Sequence, residues 1–118
     1  MIEKKLELTQ LFDFYGELLT DKQQEVLNLF LLEDYGHVEI GESMSISRQA
    51  VYDTIKTCDK QLHEFEQKLS LVVRYQERQA KLEQLLTLAE TVAITTETDD
   101  QQHKLNKLVA DVKEILAL

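Results

Sequence analysis

The segment 38-VEIGESMSISRQAVY-52 decides the fold of this chain. It predicts a short helix, a tight turn at residues 44–46, and a second helix that Ser47 caps through its side-chain oxygen. Gly41 stands where two crossing helices must touch, and Val51 follows ten residues later, facing the core. This spacing is typical of a helix-turn-helix, in which the second helix is the one that can lie in a major groove.

The composition favours an all-α protein. The chain has 118 residues, of which 43% are hydrophobic and 30% are charged, and this balance suits a globular domain that buries a real core. It contains no proline and only three glycines, while Leu, Glu, Gln and Lys are abundant. Helix interiors tolerate this mixture, whereas tight-turn hairpins do not.

Hydrophobic periodicity extends the helical prediction to the first third of the chain. It predicts a helix over about residues 3–18 and a second helix that begins after Thr20. Thr20 and Gln23 form a Thr-x-x-Gln capping box at that start. Gly36 is expected to end the second helix in the left-handed conformation.

The same periodicity continues in the second half of the chain. The helix that follows Ser47 is expected either to run on or to break near Tyr75. A polar, acidic and β-branched stretch at residues 95–100 predicts a linker, in which Asp99 or Asp100 caps a final amphipathic helix. The overall expectation is a helix-turn-helix core with long C-terminal helices.

Targeting signals and cysteine usage favour the cytoplasm. No apolar run approaches the roughly 20 residues that span a bilayer, and the N-terminus lacks the long apolar core of a signal peptide. The single cysteine, Cys58, cannot form an internal disulfide.

The net charge of −9 argues against a strongly basic nucleic-acid footprint. Residues 1–35 hold three basic and eight acidic side chains, whereas residues 45–63 hold three basic and two acidic ones. The second helix of the corner is therefore much less acidic than the first third of the chain. Tight binding of nucleic acid by a monomer is not expected from this balance.

Six side chains at this second helix are candidate nucleic-acid contacts. Arg and Gln suit bidentate contacts with guanine and adenine edges, while Ser and Lys suit phosphates. The alternative is a solvated helix face on which Ser47 is merely a cap. If Val51 and Ile55 face the core, the outward-facing candidates are Ser47, Arg48, Gln49, Tyr52, Lys56 and Lys60.

Catalysis finds little support in the sequence. The three histidines, at positions 37, 63 and 103, show no metal-ligand spacing, and no glycine-rich phosphate loop exists. Cys58 lies in the middle of a predicted helix, where a small core or interface residue is expected rather than a nucleophile. The sequence predicts no enzyme activity, no metal and no cofactor.

Several of these residues resemble the YlxM family of small bacterial proteins. The resemblance covers about residues 3–75, and the string SRQAVYD at residues 47–53 is its most specific part. It implies a fold similar to region 4 of bacterial sigma factors and a regulatory or DNA-binding role beside the signal recognition particle. Gly41 and Ser45 stand where the family more often has alanine and glycine.

The resemblance implies a helix-turn-helix domain at residues 1–73 and a helical extension at residues 74–118. The first functional hypothesis is an accessory protein of the signal recognition particle pathway that contacts the particle's RNA, its GTPase or both. The second is a sequence-specific transcriptional regulator that reads DNA. The third is a protein–protein adaptor, for which the net charge of −9 is the best argument.

The apolar stripes at residues 62–89 and 105–116 favour a homodimer. A groove-reading module often works as a dimer, because two half-sites multiply specificity. The alternative is that the extension packs onto its own domain.

Overall fold

The computed structural model describes residues 2–95 and 97–117, which form six α-helices and no strand. The all-α prediction is therefore confirmed. Thr96, a member of the predicted linker, lies outside the described residues. The chain divides into two compact units, Met1–Val72 and Val73–Leu118. The helices are α1 (Ile2–Tyr15), α2 (Asp21–Leu27), α3 (His37–Met44), α4 (Arg48–Leu69), α5 (Leu71–Thr95) and α6 (Asp99–Leu116).

Two apolar clusters hold the first unit together. One cluster joins α1, α2 and α4, and the other joins α2, α3 and α4; Ile55 packs against both. Full burial of an aliphatic side chain contributes about 1.5–3 kcal/mol, so α4 is anchored along much of its length. The first cluster contains Leu8, Leu11, Tyr15, Leu19, Leu27, Cys58, Leu62 and Val72, and the second contains Val26, Ile40 and Val51.

The start of α2 follows the sequence prediction. The Gln23 N–H donates to Thr20 Oγ1 at 3.2 Å, and the Thr20 N–H donates to Gln23 Oε1 at 3.0 Å. This reciprocal capping box satisfies two N–H groups that the first turn of a helix leaves without an internal partner.

The end of α2 differs from the prediction. The helix continues into a π-helical stretch, Asn28–Leu32, and the residue in the left-handed conformation is Asp34, with φ 58°. The prediction for Gly36 was wrong, because Gly36 is extended, with φ −78°, and is the N-cap of α3. Asp tolerates the left-handed region better than most residues. An ion pair of 2.6 Å from Lys5 Nζ to Asp34 Oδ1 holds this corner and lowers the pKa of Asp34.

The break after α4 comes earlier than expected. Ser70, with φ 55°, separates α4 from α5, five residues before Tyr75. The N–H of Leu71 donates to the Tyr15 hydroxyl, and the N–H of Val72 donates to Glu66 Oε1, each at 3.0 Å. These two N–H groups lie in the first turn of α5 and have no acceptor within the helix. Because the two side chains accept from them, the break is stable at Ser70.

Tyr15 and Glu66 also contact each other at this break. The Tyr15 hydroxyl donates a hydrogen bond to Glu66 Oε1. Burial and this carboxylate together raise the pKa of Tyr15. The hydroxyl therefore stays protonated and keeps its role as a donor.

The second unit is an antiparallel pair made from most of α5 and from α6. Gln79 Nε2 donates to the Leu116 carbonyl oxygen at 3.3 Å, which aligns the start of one helix with the end of the other. The prediction of Asp99 or Asp100 as the N-cap was wrong: Thr98 caps α6 by accepting from the Gln101 N–H at 3.3 Å. The two aspartates lie in the first turn, where the helix dipole favours them.

Among the described helices, none is both long enough and apolar enough to cross a membrane.

Candidate nucleic-acid interface

The corner between α3 and α4 is tight because residue 41 is glycine. Gly41 is buried, and a Cβ added to it would lie 2.7 Å from the Ile46 carbonyl oxygen. The Gly41 carbonyl accepts from the N–H groups of both Ser45 and Ile46, the latter at 3.0 Å. The close crossing expected from the sequence is thus present.

Ser45 takes the left-handed turn position, with φ 57° and ψ 42°. This conformation costs a non-glycine residue about 1–2 kcal/mol. The strained residue lies in the turn where the chain changes direction between α3 and α4. The turn therefore has the geometry that glycine usually supplies, built from a serine.

Ser47 begins α4. Its Oγ accepts from the Ala50 N–H at 3.0 Å, so its side chain is the N-cap of the helix. Val51 is fully buried and Ile55 is half-buried against both apolar clusters, as the outward orientation of the candidates requires.

All six candidate side chains are exposed, and four of them form a row along α4. The row is spaced by four residues and spans about 18 Å at ~1.5 Å per residue. Within residues 2–95 and 97–117, its three cations make no ion pair. The row, called the α4 ridge below, consists of Arg48, Tyr52, Lys56 and Lys60.

Gln49 lies beside the α4 ridge and is already engaged. Its Nε2 donates to Asp53 Oδ1 at 3.0 Å, one helical turn further along. An adenine edge would have to displace this carboxylate before it could bind Gln49 in the bidentate manner. Asp53 also adds a negative charge next to the ridge, which weakens attraction of phosphates.

Tilted aromatic contacts, with interplanar angles of 39° and 56°, connect Tyr52 to His37 and His37 to Phe30. The ring centroids of Tyr52 and His37 are 6.1 Å apart, and those of His37 and Phe30 are 5.7 Å apart. Lys5 Nζ lies 4.6 Å from the Phe30 centroid. Sequence reasoning missed these contacts, because Lys5, Phe30, His37 and Tyr52 come from four separate elements and no local spacing connects them.

His63, one turn beyond the ridge, pairs with acidic neighbours. Its Nδ1 lies 2.8 Å from the Asp59 carbonyl oxygen and its Nε2 lies 2.9 Å from Glu7 Oε1. These two hydrogen bonds raise the pKa of His63. Asp59 Oδ1 is also 3.1 Å from Nδ1, so this carboxylate is directed to His63.

Cys58 faces the core, as expected from its place in the helix. It is fully buried in the cluster that joins α1 and α4. Burial raises the pKa of its thiol to about 11, so the thiolate is scarce at neutral pH.

Comparison with known proteins agrees with this geometry. The model of the UPF0122 family, described as "Putative helix-turn-helix protein, YlxM / p13 like", matches residues 2–114. The chain belongs to this family. The sequence-based resemblance to the YlxM family is confirmed, and the description of UPF0122 names a helix-turn-helix protein rather than an enzyme.

Relatives in the UPF0122 family match along most of the chain. A UPF0122 protein of Halalkalibacterium halodurans is 42% identical over 97 residues, which cover 82% of this chain and 89% of that protein. A UPF0122 protein of Bacillus mycoides is 48% identical over 95 residues, which cover 78% of this chain and 86% of that protein. A UPF0122 protein of Bacillus anthracis is 47% identical over the same length.

Proposed function

We propose that this protein is an accessory protein of the signal recognition particle pathway, and that its α3–α4 corner contacts nucleic acid, with the particle's RNA as the main target. The observation that carries the nucleic-acid part is the α4 ridge, an exposed basic and aromatic row on the second helix of a tight corner. The particle itself is the partner that the YlxM resemblance implies. The particle's GTPase is a further proposed partner, and the protein would then act in the cytoplasm.

The chemistry of the α4 ridge suits a polynucleotide. Arg48, Lys56 and Lys60 supply three cations within about 18 Å, which matches contacts to several phosphates along one strand. Tyr52 is 50% exposed and lies between Arg48 and Lys56, so its ring can stack on an unpaired base.

The charge around the ridge limits its affinity. The whole chain carries a net charge of −9, and Asp53 lies beside the ridge. Three contacts of about 0.9 released counterions each give a modest salt dependence and a correspondingly modest affinity for one copy. We propose that residues 1–73 form the contact domain and that residues 74–118 join two copies into a homodimer, which doubles the number of phosphate contacts.

A DNA-binding regulator remains the second candidate, favoured by the α3–α4 corner itself. The same helix that offers the α4 ridge to RNA is the one that a helix-turn-helix inserts into a major groove. Against this candidate stands Gln49, whose amide is held by Asp53 and is therefore not free to read adenine.

Fluorescence anisotropy with labelled nucleic acids tests the proposal. The particle's RNA should bind more tightly than a random RNA hairpin or random duplex DNA. The double variant Arg48→Ala, Lys56→Ala should weaken binding at least 10-fold and reduce the slope of log K against log salt by about 1–2. Lys68→Ala is the matched control, because Lys68 is an exposed cation of α4 outside the ridge.

Each alternative predicts a different result. A regulator would select one duplex sequence by a factor of about 10³ or more over random duplex. An adaptor would bind no nucleic acid but would retain the particle's GTPase on a column. If the double variant binds every nucleic acid as well as the unaltered protein does, the α4 ridge is not the contact surface.

A further inference from the structure

Helix α5 carries an exposed row with a heptad spacing. Its members alternate at intervals of four and three residues, which aligns them on one face of the helix. The N-terminal half of this row is basic and the C-terminal half is apolar. The row is Arg74, Arg78, Lys81, Leu85, Leu88 and Val92, and all six are exposed.

Helix α6 carries a row with the same spacing, and all of its members are exposed. It begins at the third residue of the helix and ends with a large apolar residue. The row is Gln101, Lys104, Leu108, Asp111 and Ile115.

The two rows lie on the same side of the second unit. In α5, Leu88 immediately precedes the buried Ala89, and in α6, Asp111 immediately precedes the buried Val112. Adjacent residues are rotated by about 100° around a helix axis. Each exposed row therefore lies about 100° around its own helix from the buried residue that faces the other helix, and the direction of rotation is the same in both helices. In an antiparallel pair, the same rotation around each helix axis leads to the same side of the pair. Both rows therefore lie on one face. This face is called the hairpin face below.

The second unit has very few buried residues, while apolar residues of the hairpin face are exposed. Among residues 73–95 and 97–117, only Ala89 and Val112 are buried. Leu85, Leu88 and Leu108 remain 53%, 61% and 49% exposed. Two helices form a single layer, and a stable domain needs a second layer to cover its apolar side.

We propose that the hairpin face binds the same face of a second copy, so that two hairpins form an antiparallel four-helix bundle. This deepens the homodimer proposed above and does not depend on nucleic-acid contact. In this arrangement a two-fold axis crosses the middle of the hairpin, close to Leu85 and Leu88. The apolar halves of the two α5 rows then meet at the centre.

The distribution of charge along the hairpin favours a second copy in the antiparallel orientation. Residues 88–104, at the closed end of the hairpin, hold four acidic side chains and one basic one, Lys104, whose Nζ lies 3.3 Å from Asp100 Oδ2, so this end is acidic on balance. The open end carries Arg74, Arg78 and Lys81 on the hairpin face. An antiparallel dimer puts the basic end of each copy beside the acidic end of the other, whereas a parallel dimer would oppose the basic ends.

The dimensions of the hairpin face also fit a dimer. Residues 73–95 of α5 span about 35 Å, and two adjacent helices are about 19 Å wide. The face therefore covers about 650 Å² per copy, which is close to the ~800 Å² per partner of a standard stable interface.

Sedimentation equilibrium of the full chain, without nucleic acid, tests the proposal. At tens of micromolar the chain should have twice its monomer mass of 13.7 kDa. Leu88→Glu should weaken the dimer about 100-fold or more, because each substitution acts twice across a two-fold axis. Ile94→Glu is the matched control: Ile94 is 84% exposed on the same helix but lies off the row, so the dimer should persist.

A charge exchange tests the orientation. The variant Arg74→Glu, Arg78→Glu and the variant Glu97→Lys, Asp100→Lys should each dimerise weakly alone, and an equimolar mixture should restore the dimer mass. A monomeric unaltered protein, a dimer unaffected by Leu88→Glu, or a dimer that Ile94→Glu dissociates equally would overturn the proposed face. A mixture that stays monomeric would overturn the antiparallel arrangement. Failure of nucleic-acid binding leaves each of these measurements unchanged, so the two proposals fail separately.

Discussion

Gly41→Ala is the substitution that tests the α3–α4 corner most directly. In most helix interiors this change stabilises a protein by about 1 kcal/mol, because alanine restricts the unfolded chain and favours the helix. At this position the new Cβ would lie 2.7 Å from the Ile46 carbonyl oxygen. A carbonyl oxygen of the backbone cannot rotate away, so the turn itself must move by about half an ångström.

Whether Gly41→Ala stabilises or destabilises the protein depends on two free energies: the gain in helix propensity and the cost of overpacking. Overpacking costs about 1–3 kcal/mol, and a rigid backbone neighbour puts this contact at the upper end of the range. After subtraction of the ~1 kcal/mol propensity gain, we expect a net destabilisation of about 2 kcal/mol. For a unit of this size that corresponds to a Tm lowered by roughly 8–16 °C.

Thermal unfolding followed by far-UV circular dichroism measures this change. Ser43→Ala is the matched control, because Ser43 is exposed on the same helix and the substitution adds helix propensity without entering the corner. Adding Ser45→Gly to Gly41→Ala should recover part of the loss, since a glycine lets the turn shift; the coupling between the two sites should exceed ~0.5 kcal/mol. If Gly41→Ala stabilises the protein as Ser43→Ala does, the corner is looser than the structure indicates.

Three further outcomes are expected from the same structure. Ser45→Gly alone should raise the free energy of unfolding by about 1 kcal/mol in urea titration, because it relieves the left-handed serine; a loss of stability would contradict this strain. The Cys58 thiol, fully buried and with its pKa raised to about 11, should react with a thiol reagent at pH 8 only as fast as the protein unfolds, and a rapid reaction in the native state would refute its burial. The pKa of His63 is raised from 6.5 by its bonds to Asp59 and Glu7, so protonated His63 stabilises the fold below about pH 6.5 and this contribution disappears as pH rises through the raised pKa. Urea titration of His63→Gln should therefore show a loss of about 0.5 kcal/mol at pH 5.5, a value discounted because the side chain is 45% exposed, and almost none at pH 9; an equal loss at both values would exclude the ion pairs as its cause.

The local signals in the sequence predicted local structure well. Thr20 and Gln23 form their capping box, and Gly41, Ser47 and Val51 occupy the positions that a helix-turn-helix requires. Each of these predictions depends on residues within one or two turns of each other. Steric fit and capping act over the same short range, so the sequence alone carries the information.

The misplaced boundaries depend on distant partners. Asp34, rather than Gly36, is the left-handed residue, and its carboxylate pairs with Lys5, which lies 29 positions earlier. The break at Ser70 is stabilised by Tyr15, which lies 56 positions before the N–H of Leu71 that it accepts from. No window of sequence contains both members of such a pair.

In the candidate site, too, some features could be predicted from the sequence and others could not. Helical periodicity was enough to predict which residues of α4 are exposed, because burial of Val51 and Ile55 fixes the opposite face. Periodicity did not reveal that Asp53 holds Gln49, since this contact depends on the rotamer of Gln49 rather than on its position.

The aromatic cluster of Phe30, His37 and Tyr52 has a consequence for recognition. An exposed tyrosine normally rotates through several orientations and must give up that freedom when a ligand arrives. Here His37 lies against one side of the Tyr52 ring, Phe30 lies against His37, and Lys5 lies over Phe30. Part of the entropy of ordering the ring is therefore lost during folding, so a partner that binds this surface meets a tyrosine whose motion is already restricted on one side.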